Sequence, residues 1–366
     1  MQYRQLGKTT LQVPVLSLGT MRLPIRRVNP DFSAAISLIR YALDCGITFF
    51  DVGTFYCHGH CETAFGQATG HLPCDRFIVS EKNSSHQNQN IGWLAQLQNS
   101  LTLLGRDRFD IYFIHYLTLE QWRSYFLNHG VIEAIQSARA EGLFRYLGFS
   151  SHDQPEHVRQ LIDTGLFDAV ILPYNLIQTD YEDVLQYASQ QGLGVIVMNP
   201  LAGGTLGRTQ LYLEDFAQHF NDQTLAELAL NFVLSQPFVH SVLSGMESPE
   251  IIDRNIATVD KPRLTADQLK NLRGSISQEK RKAFVACTGC GYCLPCTQGI
   301  DIPAVIQIWN QFSLLQGKQI YSRDYTLLST PAECCIQCGA CEEKCPQRIP
   351  IVTIMEEVGK RFQSTR

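Results

Sequence analysis

Phe109–Tyr116 reads FDIYFIHY. A strand with one wet face would alternate apolar and polar residues. Here the apolar residues follow one another almost without a break, as in a parallel strand buried on both faces. Seven other runs have the same character: VPVLSLGT from Val13, ITFFDV from Ile47, RFIVSE from Arg76, FRYLGFSS from Phe144, FDAVILPYN from Phe167, LGVIVMNP from Leu193 and VHSVLSG from Val239. Amphipathic stretches separate them. SAAISLIRYALDCG closes on Gly46 and IGWLAQLQNSLTLLG on Gly105, glycines placed where helices stop. Further helical patterns lie near 131–142, 155–165, 180–192, 223–236 and 248–259. Eight strand–helix pairs in alternation predict an α/β chain folded as a (β/α)8 TIM barrel, with a doubly wound sheet as the competitor. No GxGxxG follows an early strand, which counts against that competitor.

The 366 residues exceed what one barrel needs. The expected division is a barrel over 1–262, a connecting helix over 263–284 and a second domain over 285–366. The net charge of −5 gives no basic footprint for nucleic acid. Lys280, Arg281 and Lys282 read as a solvated helix end. No run of about 18 apolar residues suggests a membrane span. The opening MQYRQLGKTTLQV has neither the apolar core nor the cleavage site of a secretory signal, so a cytoplasmic location is expected.

In a barrel the chemistry gathers at the C-terminal ends of the strands. Asp51, Lys82 and His115 end the second, third and fourth runs, and Tyr56 follows Asp51 in the next loop. A phenol is a poor acid near neutrality, with a pKa of about 10. An ammonium beside it favours the phenolate and lowers that value. A carboxylate keeps the ammonium charged and fixed, and an imidazole can hold a carbonyl oxygen in line. Such a set makes a general acid for a carbonyl that receives hydride. Taken singly, each residue is more simply a structural ion pair or a core polar group.

The stretch FFDVGTFYCHGHCETAFGQA, with Gly59, Glu62 and Gly66, resembles the Asp-then-Tyr motif of the aldo-keto reductase superfamily. The separations of 5, 26 and 33 along Asp51, Tyr56, Lys82 and His115 are similar too. So are YRQLGKTTLQVPVLSLGTMRL at the start and VLSGMESPEIIDRNI later on. The resemblance covers roughly residues 1–260. It implies that Tyr56 is the proton donor, that Lys82 and Asp51 tune it, and that His115 orients a small carbonyl substrate. It also implies a nicotinamide dinucleotide, NADP or NAD, held by Ser150 and Ser151 at the nicotinamide amide, by Asn175, by Met198 against the ring and by Asn255 at adenine. Gly245 and Ile251 stand where basic residues often hold a 2′-phosphate, with Arg254 as an alternative. In CHGHC, the loop after Tyr56, zinc is the minor reading, and His58 is expected to line the substrate pocket.

Nine of the 13 cysteines fall between Cys287 and Cys345. One group is Cys287, Cys290, Cys293 and Cys296; the other is Cys335, Cys338, Cys341 and Cys345, followed by Pro346. The second matches the bacterial ferredoxin run, whose fourth cysteine ligates the other cluster in two-cluster ferredoxins. The expected ligands are therefore Cys287, Cys290, Cys293 and Cys345 for one [4Fe-4S] cluster, and Cys335, Cys338, Cys341 and Cys296 for another. Zinc is the rival metal. Cys334 reads as a buried or idle thiol. Between the groups, PAVIQIWNQFSLLQ puts Val305, Ile308, Phe312 and Leu315 on one helical face, so a mainly helical ferredoxin-like domain is expected.

Three functions follow from the sequence. One is a nicotinamide-dependent carbonyl reductase with structural or sensing clusters. Another is an electron-transfer enzyme working with a ferredoxin-like donor or acceptor. The third is a non-catalytic redox sensor on the same fold.

Overall fold

A computed structural model describes residues 1–86, 92–208, 223–276, 282–314 and 324–362. Its ten strands begin with a hairpin of β1 (Tyr3–Gln5) and β2 (Gln12–Pro14). The remaining eight are β3 (Leu16–Gly19), β4 (Phe49–Asp51), β5 (Ile78–Asn83), β6 (Phe109–Ile114), β7 (Phe144–Ser150), β8 (Ala169–Pro173), β9 (Gly194–Met198) and β10 (Ser241–Ser244). They form a closed barrel with every pair parallel, and β10 seals it by pairing Val242 with Leu16. Each of the eight apolar runs contributes one of these strands. The fold is thus the (β/α)8 barrel, not the doubly wound sheet.

Helices alternate with the strands: α1 (Ser33–Asp44), α2 (Cys61–Thr69), α3 (Trp93–Leu104), α4 (Val131–Ala140), α5 (Pro155–Ile162), α6 (Glu182–Gln190), α7 (Leu225–Leu234) and α8 (Pro249–Val259). Gly105 caps α3 in the left-handed conformation, as its place in the sequence requires. Every residue of β6 and β8 is buried.

The hairpin is part of the core. Leu6, Leu11 and Val13 pack with Phe49, Ile111, Phe113, Ala169, Ile171, Ile196 and Leu243. These side chains close the barrel at the end where the strands begin. Gly148 is essential to that packing. A Cβ there would lie 2.3 Å from the Phe113 ring.

The chain divides into two compact units. The first comprises Met1–Tyr174, Asp180–Met198 and Val233–Arg263, and holds the ten strands found among the described residues. The second comprises Asn175–Thr179, Asn199–Phe232 and Leu264–Arg366. Two stretches from the first 262 residues therefore group with the C-terminal part.

The second unit is mainly helical in its described residues. It holds α9 (Ala266–Ser275), α10 (Ile302–Leu314) and α11 (Ile351–Phe362). A capping box between Thr265 and Gln268 starts α9. Of the connecting helix expected over 263–284, Ala266–Ser275 is described as helix, and residues 277–281 lie outside the described residues. Val305 and Ile308 of α10 are buried as expected, while Leu315 lies outside the described residues. Phe362 packs on Phe312 and Tyr325, with ring centres 5.1 and 4.6 Å away. Buried Asn310 grips the backbone of Val285 by two 2.8 Å hydrogen bonds, one in each direction. This fixes the segment leading into Cys287.

Candidate functional site

Strand alternation builds the first site. Ser80 and Lys82 of β5 point to one face and Glu81 to the other. The register sets Asp51 of β4 beside Ser80 and Lys82 beside Phe113 of β6. The Lys82 ammonium is ion-paired with Asp51 Oδ1, each side chain about 2–3% exposed. Lys82 also donates to the Val52 carbonyl at 3.1 Å, and Ser80 donates to Asp51 Oδ1 at 2.8 Å. Tyr56 donates to Asp51 Oδ2 at 3.4 Å, with the ammonium 4.8 Å from the centre of its ring. His115 stands edge-on to Tyr56, ring centres 5.9 Å apart. All four are buried. Asp51, Tyr56, Lys82 and His115 thus converge on one place.

Burial, and next the charge of Lys82, hold His115 well below the usual imidazole range. Its ring is neutral at pH 7. Ser84 Oγ lies 3.0 Å from His115 Nδ1 and fixes that side of the ring. Tyr116 follows in the left-handed conformation (φ 55°) and stacks on His115 at 3.9 Å. The His152 ring lies tilted against Tyr116 with centres 5.2 Å apart, and burial drives it down to about 3. His86 is buried against Phe126, is driven down to about 4 by burial, and has no well-formed side-chain hydrogen bond among the described residues.

Ser84, His86, Tyr116 and His152 were not singled out from the sequence. The signal available was Ser80-x-Lys82-x-Ser84, whose alternation places all three on the face of Lys82. On the opposite face, Glu81 is fully buried. Burial, and next the charge of Glu62, raise its carboxyl well above the carboxylate range.

The residues expected to hold a dinucleotide divide. Buried Ser150, at the end of β7, accepts from the Tyr116 amide at 3.0 Å and donates to nothing among the described residues. That spare proton fits a carboxamide oxygen. The Ser151 hydroxyl is taken: it donates to Leu117 O at 2.7 Å and accepts from Asp153 N. Asn255 on α8 donates to Ser244 Oγ at 3.1 Å, and half-buried Met198 ends β9. Asn175 belongs to the second unit, where both donors and its acceptor oxygen are used on Gln178, Asn199 and Ile177. It shapes a turn. His58 is exposed, and it sits with Cys57 in left-handed backbone.

The second unit gathers the C-terminal cysteines in two sets. Cys293 is pushed up to about 12 by burial and by Cys290, Cys287 and Cys345 around it. Cys290 is raised by burial and also feels Cys345. Cys345 is thus the neighbour of the first group although it belongs in sequence to the second. Cys296, Cys335, Cys338 and Cys341 line one cavity with Pro295, Ile336 and Lys344, and Cys293 of the first group reaches the same cavity. Cys338 is exposed, as is Ile336 beside it at 60%. Cys334 is exposed, not buried. Among the described residues, no three His, Cys, Asp or Glu side chains converge as around a single metal ion. Four thiolates around a cubane stand farther apart than four around one zinc ion.

Known proteins resemble this chain in both parts. An uncharacterised oxidoreductase of Bacillus subtilis, YqkF, is 25% identical over 314 residues, 77% of this chain and 99% of that protein. An L-glyceraldehyde 3-phosphate reductase of Escherichia coli is 26% identical, covering 74% of this chain and 91% of its own. The holo form of an aldo-keto reductase from Bacillus halodurans superposes with a TM-score of 0.64 at 26% identity, over 75% of this chain and 96% of that one. Residues 286–349 match the family model of the 4Fe-4S dicluster domain. Residues 15–276 match that of the aldo/keto reductase family. The second match spans the whole barrel and more than half the sequence, and with the strand-end constellation just described it decides the matter: the chain belongs to the aldo/keto reductase family.

Proposed function

We propose that this oxidoreductase reduces a small aldehyde or ketone with NADPH or NADH, with Tyr56 giving the proton. The observation that carries this reading is the Asp51 carboxylate, bonded to Lys82 through one oxygen and to Tyr56 through the other. When bound, the dinucleotide supplies the hydride that reaches the carbonyl carbon. The chain's own part is the proton and the alignment. The ammonium favours the phenolate that Tyr56 leaves behind. His115, neutral and fixed at Nδ1 by Ser84, offers its other edge to the carbonyl oxygen. Ser150, Met198 and Asn255 are the residues offered to the dinucleotide, while Ser151 and Asn175 shape loops.

In the second unit, we assign Cys287, Cys290, Cys293 and Cys345 to one [4Fe-4S] cluster and Cys296, Cys335, Cys338 and Cys341 to a second. Exposed Cys338 and Ile336 mark the second as the one open to a ferredoxin-like donor or acceptor. The barrel is taken as 1–262, the connector as 263–284 and the cluster domain as 285–366. No cysteine is paired in a disulfide, which suits a reducing compartment such as the cytoplasm.

The test is anaerobic turnover of an aldehyde and ketone panel with each nicotinamide cofactor, by the parent protein and Tyr56→Phe. Loss of turnover in the variant is expected. Full activity in Tyr56→Phe would overturn the reading.

A further inference from the structure

Two cysteines outside the C-terminal groups have no part in the chemistry above, yet they enclose the turn that directly follows Tyr56. Cys57 is the next residue, and Cys61 opens α2. The two thiols are near enough for each to shift the other's ionisation. Both also converge on Thr20: Cys57 Sγ donates to its carbonyl at 3.3 Å, while Cys61 Sγ lies 3.0 Å from its hydroxyl and 3.9 Å from the same carbonyl. Further carbonyls of Met21 and Leu23 surround Cys57 Sγ at 3.5 and 3.8 Å. The backbone between the sulfurs is held in an uncommon shape, with φ of 49° at Cys57 and 62° at His58. Non-glycine residues keep left-handed backbone only where their surroundings impose it.

We propose that Cys57 and Cys61 form a reversible dithiol–disulfide modification site, closed by exchange with a low-molecular-weight disulfide, that disables Tyr56. The Cys57 thiolate attacks the disulfide RSSR, forms Cys57–S–S–R and expels RS⁻. Cys61 then loses its proton, attacks the Cys57 sulfur and expels the second RS⁻. The net change is two protein thiols and RSSR to one protein disulfide and two RSH. The first attack falls to Cys57 for two reasons. It is the one of the pair with measurable exposure, 8% against none. The neighbouring Cys61 also lowers its pKa, whereas burial raises that of Cys61 well above the thiol range. Closure draws Cys57 Sγ off the Thr20–Leu23 carbonyls and turns the residue peptide-bonded to Tyr56. The bond itself is independent of any assigned activity; its effect on turnover rests on Tyr56 as the proton donor.

The experiment equilibrates the anaerobic, cluster-loaded protein with bis(2-hydroxyethyl) disulfide and 2-mercaptoethanol over a range of ratios. Acid quenching, alkylation in denaturant and peptide mass analysis follow. The expected product is one peptide holding Cys57 and Cys61, two hydrogens lighter and unalkylated, restored by dithiothreitol. Carbonyl turnover falls at least tenfold in step with that bond. Cys57→Ala and Cys61→Ser retain turnover and lose its sensitivity to the disulfide. Full alkylation of both cysteines at every ratio, a stable mixed disulfide, or pairing with Cys45 or Cys74 would overturn the site. Formation of the bond with unchanged turnover, or equal inhibition of Cys61→Ser, would overturn its link to Tyr56. If the parent shows no carbonyl turnover, the mass readout still decides the site.

Discussion

The ammonium of Lys82 stands 4.8 Å from the centre of the Tyr56 ring, and the carboxylate of Asp51 touches both side chains through different oxygens. Asp51 therefore does two jobs that can be separated. It fixes a cation, and it steadies a phenol. Removing the phenol's proton should strike the chemistry alone. Tyr56→Phe is expected to lower kcat by about 10²–10⁴-fold, the range of general acid catalysis, with circular dichroism and melting unchanged. Lys82→Met is expected to do that and also to lower stability by about 3–5 kcal/mol, because it strands a buried carboxylate. Steady-state kinetics beside urea unfolding separate the two.

The buried imidazoles make the barrel acid-labile. His86, His115 and His152 all titrate below their ordinary value in the folded chain, chiefly through burial. As pH falls below about 6.5 the unfolded chain takes up protons that the folded one refuses. Stability should therefore decline from there toward pH 4. For His86, driven down to about 4, the full loss is about 3 kcal/mol. His86→Phe should flatten the slope between pH 6.5 and 4 in a series of urea titrations, and an unchanged slope would refute the account.

Glu81 works in the opposite sense. Its carboxyl is raised well above the carboxylate range by burial and by Glu62. The folded chain then holds a proton that the unfolded chain releases above about pH 4.3, so stability falls as pH rises from that point. Glu81→Gln should be more stable than the parent at pH 7 and no more stable at pH 4. A fall in melting temperature at pH 7 would contradict this.

Phe113 occupies the space that Gly148 leaves. Gly148→Ala should cost about 1–3 kcal/mol by overpacking, read as a lower melting temperature. Phe113→Leu in the same chain should recover part of that loss. The two changes should be non-additive, since the residues are in contact. Additive losses would show that Gly148 is needed for some other reason.

The crossed cysteine sets predict which signals go together. Cys345→Ser should remove the cluster of Cys287, Cys290 and Cys293, and Cys296→Ser that of Cys335, Cys338 and Cys341. Each variant should lose one of two electron paramagnetic resonance signals and a matching share of the iron. If Cys345→Ser altered the same signal as Cys338→Ser, the sets would be uncrossed.

The sequence made much of this visible, and for clear reasons. Strands buried on both faces need unbroken apolar runs, so β6 and β8 announced themselves. Asp51, Lys82 and His115 end such runs, and a strand end in a barrel has only one mouth to face. What stayed hidden depends on contacts across the chain. Nothing local says that Ser84 holds His115, that the hydroxyl of Ser151 is used on Leu117, or that Asn175 turns its own loop. Glu81 reads as an ordinary charged neighbour of Lys82 until the alternation of β5 sends it outward beneath the helices. Likewise, nothing local says that the sulfurs of Cys57 and Cys61 both find the carbonyl of Thr20.

The packing of Leu6, Leu11 and Val13 across the base of the barrel has a corollary. A cylinder corked at one end has a single doorway. Whatever reaches the phenol of Tyr56 must therefore come from the side of the C-terminal strand ends. The floor of the barrel, far from the atoms that react, thus decides the side from which they are approached.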